Sequence, residues 1–182
     1  VAVRPVVAYP NKILRQVAVK VEAVSDEVRN FCVDMVDTMH AAGAAGISAP
    51  QLAASYRMFA IHEKVSATAE PVLFINPEIL EVGEMGPLVE GCLSFPGVYI
   101  KSSRPTFCRV KYQTWDGSEV ILEANGLYAQ AILHENDHLD GKLIIDKAGR
   151  VKREMITRRT RQSAGKYLDY RPKEQANAPN VA

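Results

Sequence analysis

Apolar and polar positions recur with two different periods along this chain, and the switches between them mark its elements. In residues 25–40, Val28, Cys32, Met35, Val36 and Met39 return at helical spacing and predict an amphipathic helix. Ser25 stands where an N-cap oxygen is wanted, and Asp26 and Glu27 follow where the helix dipole favours anions. The stretch AAGAAGISAPQ, residues 41–51, ends that pattern with glycines and a proline and predicts extended, closely packed backbone. Residues 57–62, 71–76, 106–114 and 119–124 are β-rich runs, the last two joined through Asp116 and Gly117 as a hairpin, so an antiparallel sheet is expected. Residues 126–141 return to helical spacing, with Leu127, Ala131, His134, Glu135 and His138 on overlapping faces and Gly141 at the expected C-terminal glycine position. A strand is expected at residues 142–146. Residues 151–173 are rich in Lys and Arg with sparse apolar positions, which predicts a segment lying on the surface or projecting from it.

Composition narrows the class. With 182 residues, 47% hydrophobic and 24% charged, the chain is long enough for one domain with a sizeable core and too short for two full ones. A net charge of +1 argues against a global field for nucleic acid or an anionic membrane, so any basic function is local. The apolar runs fall well short of a spanning helix, which predicts a soluble protein. The amino end lacks the charged, apolar and small-residue succession of an intact secretory signal. Three cysteines, Cys32, Cys92 and Cys108, cannot all pair within one chain and suit a reducing compartment.

The chemistry concentrates in His134-Glu135-Asn136-Asp137-His138, an HExxH pattern. On a helix, positions i and i+4 stack one turn apart, so both imidazoles reach one cation while Glu135 stands beside it as a general base. Two histidines leave such a centre short of a third protein ligand. Downstream there are acids but no histidine; upstream, Cys92 sits in Glu90-Gly91-Cys92-Leu93-Ser94, bounded by a Pro96-Gly97 turn. A cysteine in this setting reads either as a small buried hydrophobe or as that missing ligand. His40 and His62 have no motif around them and read as ordinary polar residues.

Three segments, GISAPQ at residues 46–51, EGCLS at residues 90–94 and HENDH at residues 134–138, in this order and at these separations, resemble peptide deformylase. The resemblance extends over residues 5–170 and includes YPNKILRQVA near the amino end. It implies an α+β fold, with antiparallel and mixed β-sheets packed around a central HExxH-bearing helix and a C-terminal helix. It implies one domain over residues 1–170, with residues 171–182 as a flexible tail. It implies a metal-dependent hydrolase that removes the formyl group from N-formyl-Met nascent peptides, in the bacterial cytoplasm or in an organelle matrix or stroma. Carried over residue by residue, it makes Cys92, His134 and His138 the metal ligands and Glu135 the acid/base. The Gln51 amide and the Leu93 N–H become the donors for developing oxyanion charge. Ala45, Leu88, Leu127, Ala131 and His134 would surround the methionine side chain, although core packing explains the apolar members equally well. Gly46, Glu90, Gly97 and Tyr99 would meet the peptide. The cofactor implied is one divalent ion per chain, natively Fe2+, with Zn2+, Ni2+ or Co2+ able to replace it.

Some positions depart from the family pattern. Ala44 replaces a usual glycine, Ala45 a bulky aliphatic, Leu133 a glutamine, and Gln130 falls where an aliphatic pocket residue is expected. None removes a ligand or the base. With its basic C-terminal segment, the resemblance also implies a ribosome contact through Lys152, Arg153, Arg158, Arg159 and Arg161, with no membrane and no sequence-specific nucleic acid among the partners. Two other readings remain: an HExxH peptidase acting on internal bonds, and a metal-retaining protein that serves as a ribosome-binding or regulatory module.

Overall fold

A computed structural model describes residues 2–160 and 167–168. The chain opens with the short strand β1 (Val6–Val7) and reaches helix α1 (Asp26–Ala42), whose Ser25 side chain accepts the Val28 N–H and thereby satisfies an otherwise orphaned donor. Strands β2 (Gly46–Ser48) and β3 (Met58–Ile61), the one-turn helix α2 (Glu63–Ser66) and strand β4 (Val72–Val82) follow. Next come β5 (Met85–Gly91), β6 (Tyr99–Pro105), β7 (Phe107–Gln113) and β8 (Glu119–Asn125), then helix α3 (Gly126–Leu139). Helix α4 (Arg150–Thr160) and strand β9 (Tyr167–Leu168) close the described part. Arg161 and residues 171–182 lie outside the described residues.

The strands form a five-stranded sheet in the order β2-β3-β4-β7-β8 and two separate pairs, β5-β6 and β1-β9. All these pairings are antiparallel; a parallel bridge joins Val19 to Tyr56. Strand β3 explains the layering. All four of its residues are buried, because alternate side chains face opposite helices. Met58 and Ala60 join α1 residues Met35 and Met39 in one core, while Phe59 and Ile61 join α3 residues Ala129 and Ile132 in another. Helix α3 is therefore covered on several sides, and it touches β2, β3, β6, β7 and β8. No helix among the described residues is long and apolar enough to cross a membrane.

Three differences from the expected elements matter for the site. Residues 142–146 are not a strand; they run into a 3-10 turn at Ile144–Lys147, where the Leu143 N–H donates to Asp146 Oδ2 over 2.9 Å. Leu143, Ile144 and Ile145 are all buried, and an unbroken apolar run does not by itself separate a strand from a buried turn. Strand β4 continues past Pro77, with register shifts that absorb its irregular backbone. The β5-β6 hairpin was not signalled at all, since Gly86, Pro87 and Gly91 in β5 and the polar Lys101-Ser102-Ser103-Arg104 of β6 carry little strand propensity. Helix α3 ends as expected, with Gly141 at φ 69° just beyond the capping Asp140.

Candidate metal centre

Helix α3 sets His134 against Glu90 of β5, His138 against Cys92 and Glu135 against Gly46 of β2. The two imidazoles stand edge to face with ring centroids 5.2 Å apart. Cys92 follows β5 in a turn where the Phe95 N–H donates to the Cys92 carbonyl over 2.9 Å. Phe95 is buried and stacks on Tyr9 at 4.9 Å, so the turn is anchored in the core. Cys92 Sγ lies 3.4 Å from His138 Nε2. Donor atoms of Cys92, His134 and His138 all fall within 4.8 Å of one another, a spacing that could hold one metal ion.

The protonation pattern suits such an ion. His134 Nδ1 is 2.9 Å from Glu90 Oε2, a carboxylate that can only accept, so Nδ1 carries the proton and the neutral ring keeps its lone pair on Nε2. Burial, reinforced by the charges of His134 and Arg104, holds His138 well below the usual imidazole range and keeps it neutral. Burial also disfavours charge on His134, but contact with Cys92 and Glu90 and the charge of Glu135 outweigh it and push that ring up to about 10. A cation and a proton on His134 are thus alternatives, and loading the site releases protons. Glu135 Oε2 and His138 Nδ1 are buried without a hydrogen-bond partner, which marks both as groups whose polar environment the fold leaves incomplete. One thiolate and two imidazoles form a donor set that fits a divalent transition metal.

Glu90 borders the cleft, and its buried carboxylate is engaged by neighbouring side chains, so it supports His134. Besides His134, it accepts from Arg104 Nε at 2.9 Å, from Ser102 Oγ, and from Lys147 Nζ at 3.3 Å. Burial alone would raise its pKa; the hydrogen bonds from His134, Arg104 and Ser102 and the Arg104 charge hold it far below the usual carboxylate range. Arg104 also reaches Asp137 Oδ2 at 2.8 Å, which ties β6 to the HExxH helix. Sequence reasoning passed over Ser102, Arg104 and Lys147. The available signal was two polar residues, two apart, on a strand face that also carries buried Ile100.

Glu135 is only 4% exposed, and burial pushes its carboxyl up to about 7 against the opposing charges of His134 and Arg104. Gly46 makes its seat. A Cβ at that position would come within 2.9 Å of Glu135 Cγ and Oε1 and of Ile61 Cδ1, so a side chain there would displace the carboxylate. Gln51 is fixed by its oxygen, which accepts the Ser48 N–H and Oγ–H at 3.0 Å each. Its NH2 group consequently faces Cys92 Sγ at 3.5 Å and Ser94 Oγ at 3.4 Å.

A cleft of about 550 Å³ opens onto these groups. Ala45, Gly46, Gln51, Leu88, Cys92, Leu93, Gly97, Tyr99, Leu127, Ala131, His134 and Glu135 all line it; His138 lies beneath. Gln130 also lines it, but its Nε2 donates to the carbonyls of Gly86 at 3.5 Å and Arg104 at 3.4 Å, so the amide fastens α3 to the hairpin. Leu133 is buried with Phe59, Ile61 and Phe74 as ordinary core.

The profile of the polypeptide deformylase family matches residues 3–154. A peptide deformylase of Mesorhizobium japonicum is 41% identical over 164 residues, spanning 89% of this chain and 93% of that protein. The crystal structure of a peptide deformylase from Legionella pneumophila superposes with a TM-score of 0.83 at 32% identity, covering 98% of this chain and 100% of that one. The peptide deformylase from Ehrlichia chaffeensis in complex with actinonin gives 0.84 at 30% identity, covering 91% and 100%.

Proposed function

Because this chain belongs to the polypeptide deformylase family, we propose that its cleft hydrolyses the formamide of N-formyl-Met peptides and releases formate. The observation that carries this reading is the convergence of Cys92, His134 and His138 beside a buried glutamate. These three residues would hold one divalent cation, which when bound supplies Lewis acidity and lowers the pKa of water. Glu135 takes the proton of the attacking water and delivers it to the departing amine; its unpartnered Oε2 and a pKa of about 7 suit both transfers. Charge that develops on the formyl oxygen meets the Gln51 amide, already oriented by Ser48, and the Leu93 N–H.

Specificity follows from the cleft. Strand β2 is an edge of the five-stranded sheet and β6 an edge of the hairpin, so an extended peptide between Gly46 and the segment 97–99 gains main-chain hydrogen bonds. The methionine side chain packs against Ala45, Leu88, Leu127 and Ala131. A formyl carbon bears only hydrogen, so close walls admit it and refuse larger acyl groups. We infer Fe2+ as the resident ion, with Zn2+, Ni2+ or Co2+ able to replace it, because Fe2+ ranks among the weaker binders of such a site. Helix α4 offers Lys152, Arg158 and Arg159 on an exposed face to ribosomal RNA, whereas the Arg153 guanidinium is committed to the carbonyls of Ile145, Asp146 and Ala148. Charge reversal at Lys152, Arg158 and Arg159 should weaken ribosome co-sedimentation; unchanged binding rejects that contact.

Formate release from formyl-Met-Ala, run beside the unformylated peptide, tests the main reading. Formate from the first and no cleavage of the second is expected. Cleavage of an internal bond, or no formate from metal-loaded protein, overturns it.

A further inference from the structure

We propose that His40, His62 and Glu63 form a second divalent-metal site, of the zinc class, at the rim of the cleft and independent of Cys92. No sequence motif joins these residues; the fold does. His40 occupies the last turn of α1, His62 follows β3, and Glu63 opens α2. Their donor atoms lie within 4.8 Å of one another. Glu63 Oε2 stands 3.0 Å from His40 Nε2 and 3.1 Å from His62 Nδ1, and the two rings meet edge to face at 4.8 Å. Ligands on a tetrahedral ion with bonds of 2.0–2.1 Å are about 3.3 Å apart, so only small movements would be needed to coordinate.

The hydrogen bonding at His62 favours a cation. The Lys64 N–H donates to His62 Nδ1 over 3.2 Å, which places a lone pair on that nitrogen, yet the same nitrogen touches an oxygen of Glu63, which carries only lone pairs. One proton cannot serve both contacts. A bound cation converts the acceptor-to-acceptor contact into coordination and releases the Lys64 amide to water. The site also sits at the C-terminal end of a 17-residue helix, where the backbone dipole favours positive charge. His40 and Glu63 are partly exposed, which gives an entry path and room for water ligands.

The location gives the site a consequence. The His62 N–H donates to the Ala45 carbonyl over 2.9 Å, and the Gly43 N–H donates to the His40 carbonyl over 3.0 Å. The segment between these anchors, residues 42–46, forms one wall of the cleft. An ion bound here clips α1 to α2 across that wall.

Zinc titration of the metal-stripped full chain, with bound metal counted by elemental analysis, tests the proposal. The expected result is two equivalents on the wild type. His40→Ala and Glu63→Gln should each bind one and keep formate release, which reports an intact fold and an intact Cys92 centre; Cys92→Ala should still bind the rim equivalent. A wild type that binds a single equivalent, or a second equivalent that survives in both His40→Ala and Glu63→Gln, overturns it. Neither result bears on the Cys92 centre, which is counted separately.

Discussion

Helices α3 and α4 are both rich in ionisable residues, and they place them oppositely. Helix α3 buries Glu135 and His138 in the middle of the molecule, within reach of buried Glu90 and Arg104. Helix α4 buries only Ile156 and Thr160 and, Arg153 apart, leaves its arginines exposed. Charge in water is cheap and weakly coupled, whereas buried charge persists only when paired, so each ionisable group near α3 fixes the position or protonation of another. Polar side chains in α3 therefore couple stability to chemistry, whereas Lys152, Arg158 and Arg159 of α4 are exposed to a partner.

Substitutions should divide along that line. The largest effect is expected from Glu135→Ala: turnover of formyl-Met-Ala should fall by about 10³-fold with the cation retained, since positioned acid–base groups contribute on the order of 10²–10⁴. Arg104→Ala leaves Glu90 buried without its guanidinium partner and should cost about 3–5 kcal/mol in denaturant unfolding. The same change should weaken metal binding about 10- to 100-fold by loosening the Glu90 support of His134.

A pH comparison sharpens the contrast. The folded-state pKa of Glu135, about 7, lies above its unfolded value, so its contribution to stability is full in acid and is lost as pH rises toward and through 7. In metal-stripped protein, Glu135→Gln should therefore gain on the wild type by up to about 3 kcal/mol between pH 4 and pH 8, read by chemical denaturation. A flat difference would mean that the carboxyl is not buried as described. Gln130→Leu, which removes the donor shared by the Gly86 and Arg104 carbonyls, should cost about 1 kcal/mol. The smallest effects belong to α4: Arg158→Ala and Arg159→Ala should change stability by less than about 0.5 kcal/mol and leave short-peptide turnover unaltered.

Much of this was legible in the chain and some was not, for physical reasons. The core strands and α1 were visible because burial imposes a period that side chains must follow, as the alternating partners of Met58 and Phe59 illustrate. His134 and His138 were visible because helical geometry fixes their relation locally. Cys92 was ambiguous on its own residues and became a ligand candidate only beside an HExxH that lacked its third ligand, a reading the family resemblance strengthened, since its approach to α3 depends on how the β5-β6 hairpin is docked. That hairpin is held by charge pairs between segments far apart in sequence, and such pairs leave no periodic trace; hence the support that Glu90 gives His134 and the part of Arg104 in it went unnoticed. The strand expected at residues 142–146 failed for a related reason, because three consecutive buried residues fit a tight turn as well as a strand.

The claim on which the rest depends is that one sulfur and two imidazole nitrogens share a cation. X-ray absorption on full-length His40→Ala protein, which keeps only the Cys92 centre, carrying one equivalent of Zn2+ reads this directly. The account predicts one sulfur at about 2.3 Å and two nitrogens at about 2.0–2.1 Å, with the sulfur lost in Cys92→Ala. A shell of nitrogen and oxygen alone would contradict it.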